Sequence, residues 1–429
     1  MKTTPLAKAI ACASLTSLFA AVPSMASAAF LEDSKASLEF RNFYMNQDTR
    51  HNDGAGKLGG NKTKQEWGQG IILRYQSGYT EGTVGVGVDV FGALALRLDG
   101  GHNRSPDMFP QRKNGTHSDR EFTKLAATAK FKASETELKI GGLMPRFPAI
   151  QANLEGRLLP QTFTGGLLTS KEIAGLTLNL MHLDKVNNRA STNHERMGLD
   201  QRGGQSKGIT IKGKTTSNAF DMAHLNYQFT DSLSAGYSFS RLDNLYKQHL
   251  INGVHNWNLG DKRSLRTDLR AARSRDDGRT NIDNKAFSGM VTYSFGFNKL
   301  GLGYQKMTGD TGYAFVAGTD PFLANYVANR DFAAKDEKSW QIRHDYNFAG
   351  LGIPGLTMFN RYVKGTGADL GANKSEGREW ERDLDVTYAF QEGALKNFSV
   401  RWRNSTIRSN VTKSTDENRL ILTYTLPLI

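Results

Sequence analysis

The chain has one cysteine, Cys12, among 429 residues, so it offers no disulfide framework and must take its stability from burial, a metal or a membrane. Long apolar runs are missing too. After residue 28 no stretch approaches the roughly 18 consecutive apolar residues of a membrane helix, and mean hydropathy is below zero. A helical membrane protein is excluded on that count. A β-barrel is not, because only alternate residues of each of its strands need be apolar. Catalytic and metal-binding patterns are also absent: the nine histidines show no ligand spacing, and no GxSxG occurs. GVGVDVFG (85–92) lacks the third glycine of a dinucleotide fingerprint; Gly85 and Gly87 read as positions that leave room inside a barrel. Acids are scarce relative to bases, 42 Asp and Glu against 55 Lys and Arg, for a formal charge of +13. The bases are interleaved along strands and never gathered into a patch, which argues against nucleic acid. Nothing calls for a cofactor or an energy source.

Residues 1–28 read as a secretory signal peptide. MKTTPLAK supplies two lysines, AIACASLTSLFAAV is too short to span a bilayer comfortably, and PSMASA places Ala26 and Ala28 at the small-residue positions of a cleavage site. Cys12 lies too near the N-terminus for a lipobox. Removing the leader takes away two lysines and no acid. The remainder, 29–429, reads as a single domain, with no Pro/Ser-rich linker or compositional shift to divide it.

What is present is alternation. FSVRWR (398–403) sets Phe398, Val400 and Trp402 against Ser399, Arg401 and Arg403, the period of a strand whose two faces want different solvents. In AHLNYQF and, after TDS, LSAGYSF, the residues Ala223, Leu225, Tyr227 and Phe229 and then Leu233, Ala235, Tyr237 and Phe239 keep to one face. The aromatics of the first strand fall beside the turn, where a membrane interface places its girdle. About 18 such segments follow residue 36, near the ~10 residues a tilted membrane strand needs. Short connections trade places with long polar ones at 46–65, 99–120, 184–207, 309–338 and 364–379. The last segment, NRLILTYTLPLI, ends on Ile429 where many outer-membrane barrels end on an aromatic. The expected fold is all-β: a transmembrane antiparallel barrel of about 18 strands, with short periplasmic turns and long extracellular loops.

If the apolar parity faces lipid, the other faces a lumen, and the bases sort themselves. Arg74, Lys124, Lys130, Arg266, Arg270, Arg343, Arg401, Arg403 and Arg419 all take the inward parity, as do Asp89, Asp268, Asp345, Asp383 and Asp385. A charge on the lipid face near the midplane costs about 2–4 kcal/mol, which gives the sorting a cause. Guanidinium groups along an aqueous path suit a carboxylate, which fits their bidentate geometry. Solvated or salt-bridged arginines that merely avoid lipid are the plainer reading. For Arg401, Arg403 and Arg419 the functional reading is favoured, because like charges so close repel unless an anion visits.

The stretch GGLMPRFPAIQANLEGRLLPQT (141–162) differs from the other loops. Pro145, Pro148 and Pro160 end a strand, and Leu143, Met144, Phe147, Ile150, Leu154, Leu158 and Leu159 want cover. Folding into the barrel and narrowing it would supply that cover; the rim is the alternative.

SLEFRNFY (37–44), EWGQGIILRYQSGYTEGTVGVGVD (66–89), GRLLPQT (156–162), the block 280–346 with FLANYVANRDFAAKDEKSWQIRHDY, GIPGLTMFNRYVKG (352–365) and LKNFSVRWRNSTIRSN (395–410) together resemble the OprD family of substrate-specific outer-membrane porins. The resemblance covers essentially the whole mature chain. It implies a narrow pore, an inward-folded third loop, a seventh loop at the constriction, a basic ladder, and uptake of small carboxylate-bearing solutes such as amino acids, peptides or aromatic acids. Arg401 and Arg403 match the ladder's paired arginines, Arg41 and Arg419 extend it, and Asp331 matches an acidic constriction residue; Asn329 stands where some members carry a tyrosine. With Arg343 from the inward parity, these are the candidate substrate contacts, and Arg157, Leu158, Leu159, Pro160 and Gln161 the candidate constriction loop. The expected partners are a small organic anion and outer-membrane lipid, the expected state a monomer or loose trimer, and the expected location the outer membrane. A general porin with a weak anion bias and, further off, an outer-membrane hydrolase are the alternatives.

Overall fold

A computed structural model describes residues 27–50, 63–100, 108–111, 117–200 and 207–429. Residues 1–26 of the expected leader 1–28 and parts of the expected loops at 46–65, 99–120 and 184–207 lie outside the described residues. Eighteen strands form one antiparallel sheet. The first, Lys35–Thr49, pairs with Thr63–Gln76 on one side and with the last, Thr415–Pro427, on the other, so the sheet closes on itself and exposes no edge. The chain ends complete the seam: Leu428 N–H donates to the Ala36 carbonyl at 2.9 Å, and Ala36 N–H to the Ile429 carbonyl at 3.3 Å.

Side-chain parity explains why these segments are strands and which way they face. Leu125 is 70% exposed on the outer surface while its neighbour Lys124 is 4% exposed inside; Trp402, Leu302 and Ile342 are likewise outside. Such residues bury themselves only in hydrocarbon. Leu302→Arg, at the middle of the strand Asn298–Thr308, is expected to cost about 2–4 kcal/mol of stability in lipid, read from urea titrations of the barrel in vesicles. At the turn end of the wall lies the aromatic girdle. Tyr227 and Phe229, Tyr293 and Phe295, Tyr346 and Phe348, and Tyr388 and Phe390 pack there as ring pairs.

The turn end has tight connections such as 134–135, 231–232 and 296–297, and the opposite end has long ones at 144–161, 188–219 and 309–337. The rhythm differs from expectation in three places. The expected loop 364–379 shrinks to 369–376, because the strands Leu356–Ala368 and Gly377–Ala389 run up to it. The connections 243–245 and 277–282 at the long-loop end are short. Segment 309–337 is not the polar loop its position suggested: Tyr313, Phe315, Val316, Leu323 and Phe332 are buried, because it folds inward.

Segment 144–161 also folds inward. Leu158 and Leu159 pack in the lumen with Phe43, Met45, Ile72 and Phe109. The wall makes room for them at glycines: a Cβ on Gly68 would stand 2.7 Å from Phe109 and 2.8 Å from Leu158. Segment 309–337 ends on Glu337, fully buried, whose Oε2 accepts the Ala334 N–H at 3.0 Å. Burial, and then the neighbouring Glu379, raise its pKa well above the ordinary carboxyl value. A raised carboxyl pKa contributes stability that is present at low pH and lost as pH climbs past the unfolded value towards the folded one. Glu337→Gln is therefore expected to flatten the fall of the urea midpoint between weakly acidic and alkaline buffer.

Candidate functional site

Three adjacent strands bring the inward arginines together. In register, Asp385 of the strand Gly377–Ala389 stands opposite Arg403 of Phe398–Ser409, and Arg403 stands opposite Arg419 of Thr415–Pro427. Arg361, on Leu356–Ala368, faces Asp383. Alternation puts all of these side chains in the lumen.

The facing wall is the inward segment 144–161, held by cations. Arg41 Nη1 donates to the carbonyls of Leu154, Arg157 and Leu158 at 3.2–3.4 Å. Lys124 Nζ donates to the carbonyls of Pro160 at 2.8 Å and Asn188 at 2.5 Å. Gln161 Nε2 donates to the Ala317 carbonyl at 3.1 Å. Segment 309–337 completes the enclosure: Asp320 Oδ1 accepts from Asn153 Nδ2 at 2.6 Å and from Tyr326 OH at 2.7 Å, which ties the two inward segments together.

Between these walls is a cavity of about 380 Å³, lined by seven arginines: Arg146, Arg157, Arg189, Arg361, Arg401, Arg403 and Arg419. Carboxylates hold several of them in place. Arg401 Nε donates to both oxygens of Asp385 at 3.0 Å, and Arg403 Nε to Asp385 Oδ2 at 2.8 Å, so two guanidinium groups share one carboxylate. Arg361 Nε donates to Asp383 at 2.7 Å and Arg419 Nε to Glu417 at 2.5 Å. In all four of these arginine–carboxylate pairs, to Asp385, Asp383 and Glu417, Nε meets the protein. Among the described residues Arg403 Nη1 and Nη2 have no hydrogen-bond partner, and Arg419 Nη2 is buried with none. A buried donor without an acceptor costs about 1–3 kcal/mol, which Arg419 Nη2 bears.

The structure gathers Arg401, Arg403, Arg419 and Arg157 around this cavity and places the other candidates elsewhere. Arg41 pairs with Glu39 at 2.7 Å and fastens the loop from behind. Arg343 forms a two-point ion pair with Asp345 and stacks 4.4 Å from the Phe359 ring centre, away from the cavity. Asp331 faces Lys207 at 3.0 Å, beside Asp200, while Asn329 lines the cavity. Leu158 and Leu159 pack on the wall, and Pro160 and Gln161 root the loop. Sequence reasoning missed Arg361, Arg146, Arg189, Glu155, Asp320 and Tyr326. Parity would have found Arg361, since it shares the inward face of its strand with Val363. The others stand on loops, where parity carries no information. Among the described residues no cluster of three His, Cys, Asp or Glu could hold a metal.

The family model for "outer membrane porin, OprD family" matches residues 28–428. The chain belongs to the OprD family. An OprD relative, the porin-like protein GalP of Pseudomonas putida, is 36% identical over 408 residues, covering 93% of each chain. The crystal structure of Pseudomonas aeruginosa OpdQ superposes with a TM-score of 0.85 at 51% identity, covering 94% of this chain and all of that one. That of Pseudomonas aeruginosa OpdK with vanillate gives 0.84 at 34% identity, covering 93% of this chain and 100% of the other. OprD-family proteins are outer-membrane porins, channels for small solutes. The third and seventh of this chain's outer connections, 144–161 and 309–337, both fold inward; the resemblance implied an inward third loop and a seventh at the constriction.

Proposed function

We propose that this OprD-family porin passes small carboxylate-bearing solutes down their gradient, with the arginines of the constriction replacing water around the carboxylate. The observation that carries the reading is the pair of terminal nitrogens of Arg403, without a hydrogen-bond partner among the described residues, in an arginine-lined cavity that faces the loop 153–157. A carboxylate there would accept two parallel hydrogen bonds, and the arginines are already held in place by Asp385 and Glu417. OpdK, solved with vanillate, shows a related barrel that binds an aromatic carboxylate. Arg41 and Lys124 act through the loop and set the width of the passage.

In planar bilayers the double variant Arg401→Ala/Arg403→Ala is expected to lose anion preference in its reversal potential and to weaken block by benzoate or vanillate at least about tenfold, since charge-assisted hydrogen bonds contribute about 1.5–3 kcal/mol each. If the variant keeps the parent's selectivity and block, the arginines are only solvated wall residues and the general-porin reading stands.

A further inference from the structure

On the outer, lipid-facing surface, near the long-loop end, lies a trough of about 690 Å³ far from the pore. Register shows how it forms. Ile251, Ala271 and Phe287 stand directly opposite one another on three adjacent strands, so a small side chain sits between two large ones. The next row towards the turn end reads Gly253, Leu269, Gly289, where the exposed Leu269 side chain covers Gly289 and bounds the hollow. Arg273 and Lys285 face each other on the row nearer the rim, with His249 on the far side of Arg273, and Lys306, opposite Phe287, stands beside Lys338. Arg273 is satisfied by Asp283 at 2.5 Å and 2.6 Å. Among the described residues Lys285, Lys306 and Lys338 form no salt bridge. Like charges directly opposite on a sheet are destabilising, and these project into the membrane interface, where water screens them poorly. At the turn end the same strands carry aromatics such as Tyr293, Phe295 and Tyr346 instead.

We propose that this trough binds a phosphorylated, acylated glycolipid of the outer leaflet, one acyl chain lying over Ala271 between Ile251 and Phe287 and a phosphate seated among Lys285, Lys306 and Lys338. Shape and charge complement that ligand together: the hollow is apolar, and lysines border it on its rim side and flank, Lys285 one row nearer the rim and Lys306 in the row of Phe287 with Lys338 beside it. The short connections 243–245 and 277–282 leave the rim above it open to a sugar headgroup. The inference rests on outer-membrane placement with the long connections outside, and not on the pore's solute.

The test is native mass spectrometry of the full-length barrel in detergent with added hexa-acylated, doubly phosphorylated lipid A. Wild type is expected to retain it, and Lys285→Glu/Lys306→Glu/Lys338→Glu to bind at least tenfold more weakly while keeping heat-modifiable mobility and unchanged single-channel selectivity. Dephosphorylated lipid A is expected to fall by a similar factor on wild type. Equal binding by the triple variant, equal binding of the dephosphorylated lipid or of phosphatidylglycerol, or copy-to-copy cross-linking through Phe287→Cys would each overturn the assignment.

Discussion

Asp385→Ala is expected to lower the unfolding free energy by about 3–5 kcal/mol, the usual effect of removing one partner of a buried ion pair. The carboxylate is 4% exposed and accepts from both Arg401 and Arg403. Without it those two guanidinium groups and the nearby Arg419 repel one another with no counter-charge between them. The same change is expected to raise anion preference in bilayers, since a negative charge leaves the constriction and the positive ones stay. Stability and selectivity should therefore move in opposite directions. Urea midpoints in vesicles and reversal potentials measure the two. Adding Arg403→Ala to Asp385→Ala should restore part of the lost stability, and the double-mutant cycle would give the coupling directly. A purely additive cycle would show that the shared carboxylate does not organise the pair.

Gly68→Leu is expected to open the pore. The new side chain would compete with Phe109 and Leu158 for one volume, an overpacking that costs about 1–3 kcal/mol if both stay. Segment 144–161 is held by side-chain contacts from Arg41, Lys124 and Gln161 and not by the barrel's own ladder, so it is the part that yields. Single-channel conductance should rise severalfold and solute block should weaken, while the barrel itself keeps its heat-modifiable mobility. A Gly68→Leu channel with the parent's conductance would place the narrowest point elsewhere. Gly68→Ala, smaller by three carbons, should lie between the two.

The wall was legible in the sequence because each strand is written in a period of two and the solvents on its faces differ so sharply. FSVRWR alone separates Trp402 from Arg401, and the run of about 18 such segments turns Trp402 outward and Arg401 inward. The prolyl segment 141–162 was legible as needing cover from its apolar content, which the lumen or the rim would supply. The same argument applied to YAFV and FLANYV would have brought segment 309–337 inward; its length and flanking polar residues hid the signal. Partners were not legible. Arg41 and Arg403 share an inward parity, yet one is spent on loop carbonyls and the other turns its terminal nitrogens to the cavity. That difference arises from where a distant loop lands. Asp331 is a similar case, since Lys207 lies 124 positions away in sequence and 3.0 Å away in space.

The selective segment hangs from the cylinder by a handful of side-chain tethers. Its shape is thus free to drift by point substitution without reweaving a single strand pairing. One scaffold can in this way be retuned to many nutrients, the frame inherited intact while the filter is rewritten.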